Sequence, residues 1–414
     1  MNENDPIFDI ESVRLDFPIL SRQVHRRPLV YLDNGATTFV PECVLAAVEE
    51  QYRVFQANVH RGVHYLSEQS TARVEQVRLE TAAFLNAESP EEIVFTAGAT
   101  ESINLIARAF SDGSLRHGDR LLTTEMEHHS NLVPWQEACR RSGAELGVVH
   151  LTDKGELDME DLALLLDQGP RLLAVTWVSN VLGTVNPLPQ IIRMAHAAGC
   201  AVLVDAAQAM RHGPVDIRKL DCDFLCFSGH KIMGPTGVGV LYGKRTWLER
   251  LPPVSFGGGM IDEVGTEHAT FGEIPFRFEA GTPNIAGIIG LGAALHYLQK
   301  VGLAAIKARE TELLACVEHR LREHSEIDIL GAPEERAGAV SFNLQGLSCY
   351  DVARLLDQLG VAVRSGHHCA QPLMTRFGLT GAVRVTPAFY NTREEIDALC
   401  DGLDRIAALQ GSDK

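Results

Sequence analysis

The sequence predicts an α/β protein. A large unit carries a mostly parallel sheet covered by helices on both faces, and a smaller α+β unit lies at the carboxyl end. Three observations lead there. The chain has 414 residues, more than one small core organises, so two units are the default. From about residue 91 to 243, short runs dense in Val, Leu and Ile alternate with longer stretches of helical period. Strands of that composition are buried on both faces, which requires helical layers above and below. Near residue 300 the alternation gives way to a long amphipathic stretch and a different order of elements.

In chain order, EEIVFTAG (91–98) reads as a strand and TESINLIARAF (100–110) as a helix. DRLLTTE (119–125) is a strand, followed by a helix over NLVPWQEACRRSG (131–143). RLLAVTWVS (171–179) is a strand, and LPQIIRMAHAAG (188–199) a helix that Gly199 stops. AVLVDAAQ (201–208), DFLCFSGHK (223–231) and GVGVLYG (237–243) supply three more strands. LAAIKARETELLACVEHRLREH (303–324) is a long amphipathic helix. After it come a strand in AGAVSFNLQ, a helix in SCYDVARLLDQLG, strands in VAVRSG and GAVRVTPAFYN, and a last helix over TREEIDALCDGLDRIAAL. Thr392 and Glu395 have capping-box spacing at its start. The large unit is placed at 25–295 and the small unit at 1–24 and 296–414, with no low-complexity linker at the junction.

Composition removes several function classes. The formal net charge is −17 and no basic block occurs, so the surface repels nucleic acid and anionic lipid. The apolar stretch IAGIIGLGAALHYLQ from Ile285 is short for a membrane span and rich in Gly and Ala, which suits a buried helix. The N-terminus lacks the basic, apolar and small-residue order of a secretory signal. Nine cysteines at irregular spacing, with no C-x-x-C, argue against a disulfide framework and for a reducing cytoplasm.

Function in an open α/β sheet collects at the carboxyl ends of strands. Four such ends carry polar residues that a buried strand does not need. In TAGATES, Gly98 and Ala99 leave room for a ligand, and Thr100 and Glu101 open a helix whose free N–H groups would hold a phosphate; a plain tight turn is the alternative. In VLVDAAQ, Asp205 is either a helix N-cap or the partner of a cation in the cleft, with Gln208 three residues on. At about 4 Å and an effective dielectric near 20 such a pair is worth roughly 4 kcal/mol, or about three pKa units, enough to keep a weakly basic ring nitrogen protonated. In CFSGHKIMGPTG, Lys231 follows an apolar strand with Ser228 and His230 beside it. A desolvated lysine suits Schiff-base chemistry, and a snorkelling lysine is the alternative. In TTEMEHHSN, His128 and His129 sit just past a strand. A metal site drawn from His128, His129, His367, His368 and Cys369 lacks the usual ligand frame, so no metal is expected. An imine-forming lysine, a carboxylate for a pyridinium, a helix start for a phosphate and a histidine to face the ring are together the contacts that pyridoxal 5'-phosphate needs.

The chain resembles the class V aminotransferase family of fold-type I pyridoxal-phosphate enzymes, and within it the cysteine desulfurases of the SufS/CsdA kind. The likeness runs from about Tyr31 to about Leu409, through YLDNGATT, HRGVHYLSEQST, EMEHHSNLVPW, VSNVLGTVNP, VDAAQA, DFLCFSGHKIMGPTGVGVLYG, RFEAGTPN, RSGHHCAQPLM and YNT. The resemblance implies that Lys231 holds the cofactor as a Schiff base and acts as acid and base at Cα. It implies that Asp205 pairs with the pyridine nitrogen, that Gln208 contacts the phenolic oxygen and that His128 stacks on the ring. Ala99, Thr100, Ser228 and His230 would bind the phosphate. The active site would lie at a homodimer interface, with Thr282 reaching the partner's phosphate. Asn180 and Arg384 would hold the substrate carboxylate and Arg364 would lie beside the nucleophile, with His60 and Arg61 near the same cleft. Asn34-Gly35 and Thr386-Pro387 depart from the more familiar pairs and concern only the substrate pocket.

On this reading Cys369 is a nucleophile. It would take sulfur from L-cysteine as a persulfide and leave L-alanine, for iron–sulfur cluster assembly or other sulfur delivery. An ordinary thiol is only a few per cent ionised near pH 7, and half ionisation needs a fall of about 1.5 units, or about 2 kcal/mol. One or two charge-assisted hydrogen bonds from Arg364, His367, His368 or backbone N–H groups would supply that. An inert packed thiol is the alternative. The resemblance, to the group whose catalytic loop is compact, further implies transfer to an acceptor protein of SufE or SufU type. Selenocysteine lyase (with L-selenocysteine as substrate), cysteine sulfinate desulfinase and transaminase-like chemistry remain open on the same fold, as does a sulfur-carrier role without cofactor.

Overall fold

A computed structural model describes residues 8–411. The main sheet has seven strands: β1 (Ile93–Thr96), β2 (Arg120–Thr124), β3 (Glu145–Val149), β4 (Leu172–Thr176), β5 (Ala201–Asp205), β6 (Phe224–Ser228) and β7 (Gly239–Gly243). Their order is β1-β7-β6-β5-β4-β2-β3, and only β7 runs antiparallel to its neighbours. β4, β5 and β6 end at Thr176, Asp205 and Ser228, short of the sequence expectation, each on a polar residue after a buried apolar run. β3 is a strand the sequence reading did not single out; its Glu145 is exposed and its middle residues are half-buried, as fits an edge.

Helices α1 (Glu42–Val54), α2 (Tyr65–Leu85), α3 (Ala99–Gly113), α4 (Val133–Ser142), α5 (Leu188–Ala197) and α6 (Ile285–Val301) surround this sheet. α6 is the apolar stretch read as a buried helix, and it packs against α1 and α2. Its glycines explain the composition: a Cβ at Gly292 would stand 2.5 Å from Val77 Cγ2, so the helices approach closely only because that atom is missing. Among the described residues no single helix is long and apolar enough to cross a membrane.

α6 turns by 77° at Gly302 into α7 (Leu303–Arg322). α7 belongs to both halves: Ile306 enters the main core, while Leu313, Leu314, Val317 and Leu321 enter a second apolar cluster. That cluster underlies a four-stranded antiparallel sheet of β8 (Ile327–Ile329), β9 (Val340–Leu344), β11 (Ala382–Val385) and β10 (Arg364–Gly366), in that order, with α8 (Cys349–Gln358) and α9 (Arg393–Gly411). The Thr392–Glu395 capping box forms in both directions, at 3.3 and 3.2 Å.

One sequence expectation changes here. VAVRSG is not one strand. Val361–Ala362 pairs in parallel with Val30–Tyr31, whereas Arg364–Gly366 pairs with β11, so Val363 is where the chain passes from one partner to the other. Near the amino end the chain contributes to both apolar clusters. Val30 and Leu32 pack in the small cluster, and Phe17 and Leu20 in the main core. The residues after Arg26 are drawn across because Val30–Tyr31 is the strand that Val361–Ala362 requires.

Candidate active site

The carboxyl ends of β1, β4, β5 and β6 open on a cleft of about 280 Å³. Residues from the small sheet close its other side. Ala99, Thr100, His128, Asn180, Asp205, Gln208, Ser228, His230, Lys231, Arg364, Cys369 and Arg384 all line it. Thr282 does not; it is exposed and lies in a separate surface groove beside Gln51 and Tyr52.

Register sets the floor. β4 and β5 pair Thr176 with Asp205, and Gly239 pairs with both Thr96 and Ser228. A Cβ on Gly239 would stand 2.4 Å from Gly98 Cα, so glycine there lets the turn into α3 lie across the strand ends. Ala99 N–H donates to Ser228 Oγ at 2.9 Å, and the α3 start has no other side-chain cap. Thr100 Oγ1 and Ser130 Oγ are 2.7 Å apart. The first turn of α3 therefore presents N–H groups and two hydroxyls to the cleft, a donor set for a phosphate.

Asp205 is buried and accepts the N–H of Ala207 at 2.9 Å. Burial pushes its carboxyl up and the Lys231 ammonium opposes that rise. Burial holds Lys231 below the usual ammonium range, Asp205 opposes that, and Arg384 and Arg211 add to the lowering. Gln208 donates to Gly35 O at 2.8 Å, tying the turn after β5 to the segment before α1. His128 is pushed down to about 3, by burial first and then by Lys231, His129 and Arg384. Its Nδ1 accepts the N–H of Ser130 at 3.0 Å, so the neutral ring carries its proton on Nε2. His230 is lowered to about 4 by burial and by Lys231.

The opposite wall centres on Arg384, buried on β11. It donates to Asp33 Oδ1 and to Asn180 O, each at 3.0 Å, and its Nε has no partner. A buried guanidinium N–H left over beside a cleft is a place for a carboxylate. Arg364 is exposed and stands 3.7 Å from Asp33. The Asn180 amide lines the cleft and donates one N–H to His368 O at 2.8 Å, which fastens the loop that carries Cys369.

Cys369 is half-buried. It and His368 both have positive φ, 55° and 52°. Two successive non-glycine residues in that region store strain on the order of 1 kcal/mol or more each. The loop is fastened where the strain lies: Cys369 O accepts the N–H of His129 at 2.7 Å, and Cys369 N–H donates to His367 Nδ1 at 3.0 Å. His368 is not the charged donor that the sequence suggested. Burial and Arg384 push it down to about 3, and its Nε2 donates to Ala382 O at 3.0 Å.

Two residues of consequence went unread in the sequence. Asp33, inside YLDNGATT, orients Arg384. Glu127, inside TTEMEHH, is buried behind His128, where it accepts from Thr124 Oγ1 (2.7 Å), Thr176 N–H (2.9 Å) and Asn131 Nδ2 (2.6 Å). Burial raises its carboxyl to about 8 against those three donors. The available signal was a second carboxylate in the short stretch between β2, which ends at Thr124, and His128. His60 pairs with Glu75 at 3.1 Å, and neither it nor Arg61 lines the cleft.

The donor set fits pyridoxal phosphate: a helix start with hydroxyls for the phosphate, a buried carboxylate for a protonated ring nitrogen, and a lysine depressed toward its neutral amine.

Comparison with known proteins points the same way. The aminotransferase class-V family model matches residues 30–399. A cysteine desulfurase of Cronobacter sakazakii is 50% identical over 405 residues, 98% of this chain and 100% of the relative. One from Escherichia coli K12 is 49% identical over 406 residues, with the same coverage. Among solved structures, the apo cysteine desulfurase of Thermococcus onnurineus NA1 superposes with a TM-score of 0.90 at 40% identity, over 96% of this chain and 97% of that one. The Escherichia coli cysteine desulfurase CsdA, in its S-sulfonic acid form, gives 0.89 at 38% identity, over 98% and 100%. With strand ends, cleft and sequence in agreement over nearly its whole length, the chain belongs to the class V aminotransferase family.

Proposed function

We propose that this chain is a pyridoxal-phosphate-dependent cysteine desulfurase that converts L-cysteine to L-alanine and takes the sulfur onto Cys369. The observation that carries the reading is the placement of Cys369, on a fastened and strained loop, in the same cleft as Lys231 and Arg384. Full-length relatives at about half identity carry the same activity in their names. They do not favour the selenocysteine lyase or sulfinate desulfinase alternatives.

When bound, pyridoxal phosphate supplies an aldehyde that captures amines and a ring that withdraws electrons from Cα. The protein supplies the rest. The first turn of α3 with Thr100, Ser228 and His230 would hold the phosphate, Asp205 would keep the ring nitrogen protonated, and Gln208 and His128 would hold the ring. Arg384 receives the substrate carboxylate on its free Nε side, held in plane by Asp33 and the Asn180 carbonyl. Lys231, whose ammonium burial holds below its usual range, would remove the Cα proton and later return one. The Nε2–H of His128 is a second proton donor in the cleft. Cys369 attacks the substrate sulfur as thiolate. The new S–S bond forms as the Cβ–S bond breaks, its electron pair leaves toward Cβ, and a proton there completes the methyl group of alanine. The balance is L-cysteine plus enzyme thiol giving L-alanine plus enzyme persulfide, and a thiol reductant or an acceptor then removes the sulfur.

Two finer readings go with this. The chain works as a homodimer in which the exposed Thr282 completes the partner's phosphate site, and its sulfur passes to an acceptor protein of SufE or SufU type in the cytoplasm. The assay for the main reading is alanine release from L-cysteine with a reductant, for the parent and for Cys369→Ala. Alanine from the parent only, with both proteins yellow, supports it. Equal release from both makes Cys369 dispensable and sinks it.

A further inference from the structure

A buried charged cluster lies outside the cleft, between the two sheets. Arg211 and His212 end the turn that starts after Asp205 and carries Gln208. That turn is stiff: Ala207 N–H donates to Asp205 Oδ1, Ala209 N–H to Ala206 O and His212 N–H to Ala209 O, each at 2.9 Å. Glu310 of α7 meets its far end. Glu310 Oε1 stands 3.4 Å from Arg211 Nε, and Oε2 stands 2.6 Å from His212 Nδ1. The three side chains are 4%, 3% and 8% exposed. Oε1 also accepts the N–H of Phe389 at 3.2 Å.

Phe389 follows the strand that carries Arg384, and its segment is bonded back to the substrate wall. Ala388 N–H donates to Asn391 Oδ1 at 2.8 Å, and Asn34 Nδ2 donates to Thr386 O at 2.8 Å and to Asn391 Oδ1 at 3.2 Å. Arg309, next to Glu310, donates to Asn391 O at 3.0 Å. One carboxylate therefore touches the turn of Asp205 and the segment of Arg384 at once. A buried ion pair is weak evidence of stabilisation, since well-packed apolar residues often serve as well. What the charges add is a fixed geometry between two elements from different sheets.

We propose that Glu310 is a positioning residue for the reaction: it fixes the turn that bears Asp205 and Gln208 against the segment that follows Arg384, and so holds the ring-binding and carboxylate-binding halves of the cleft in register. This rests on the activity proposed above. Arg211 adds to the effect, because its buried charge is one of those holding Lys231 below the usual ammonium range.

The test separates position from stability. Glu310→Gln leaves Arg211 buried beside a neutral amide. Arg211→Met with Glu310→Met removes both charges, so the protein recovers melting temperature, and it carries the test if the single variant does not fold. For each holoenzyme, kcat and KM for L-cysteine are measured beside the melting temperature and the rate of cofactor loss on dialysis. The expected result for the paired variant is a melting temperature near the parent's, with kcat/KM down about tenfold to a hundredfold, the range for a misplacement near 1 Å. Parental kcat/KM in a paired variant of parental stability overturns the proposal. If the parent releases no alanine, the desulfurase reading has failed instead. Cofactor loss then decides: faster loss from the paired variant keeps the positioning role, and an unchanged rate ends it.

Discussion

Gly239→Ala should loosen the cofactor by moving the turn that binds its phosphate. The new Cβ would lie 2.4 Å from Gly98 Cα and 2.7 Å from Phe227 O. Unstrained heavy-atom contacts lie near 3.5–4.0 Å, so something must shift by about 1 Å. The strand is paired on both sides, to Thr96 and to Ser228, so the turn at Gly98 is what yields. The Ala99 N–H to Ser228 Oγ bond, now 2.9 Å, would open to about 3.9 Å, past hydrogen-bond range. Overpacking of this kind costs about 1–3 kcal/mol of stability. A shift of about 1 Å in the donors that would face the phosphate costs up to one charge-assisted bond, about 1.5–3 kcal/mol, and weakens cofactor binding roughly tenfold to a hundredfold. The assay is titration of the apo protein with pyridoxal phosphate, followed by visible absorbance. Gly257→Ala is the control, since its Cβ would meet nothing within 4 Å. A Gly239→Ala protein with parental affinity and melting temperature would refute the reasoning.

Three further outcomes are expected. Arg384→Lys gives up the planar fork that Asp33 and Asn180 orient; KM for L-cysteine should rise about tenfold or more with a smaller fall in kcat, measured by steady-state alanine release. Asn180→Ala frees His368 O, so single-turnover persulfide formation on Cys369 should slow while the spectral shift on adding L-alanine is kept. Acidification should destabilise the fold through its buried imidazoles: His128 and His368 lie near 3 and His230 near 4, against about 6.5 unfolded. Below about 6.5 the unfolded chain binds protons that the folded one refuses, so stability present above that pH is lost as pH falls toward 4, and His368→Gln should flatten a melting-temperature profile over that range.

Much of the fold was legible because it rests on local signals. The strand of Ala201–Asp205 is an apolar run ended by a carboxylate, and α9 begins at a capping box written in four residues. The site residues were legible where one residue type sits at a strand end, as with Lys231, Asp205 and Ser228. What escaped depends on partners far away in the chain. Val363 looks like the middle of a strand until its two flanks are seen to pair with Val30–Tyr31 and with β11. The bond from the Asn180 amide to His368 O, 188 residues away, has no local signal at all. His368 reads as a charged helper of Cys369, yet burial and Arg384 keep it neutral, and no local pattern records either.

The same distinction explains why the nucleophile loop has its form. RSGHHC places a glycine before the histidines, and at Gly366 the chain does take a positive φ of 112°. Yet the positive φ continues at His368 and Cys369, where side chains disfavour it. Relaxing either residue would require breaking the His129-to-Cys369 backbone bond or releasing the amide of Asn180 from His368. Both of those donors come from the strand ends of the main sheet, whereas the loop itself leaves β10 of the small one. The strain is therefore sustained only while the two sheets stay docked. Cys369 owes its place in the cleft of Arg384 to that docking, more than to any residue adjacent to it in sequence.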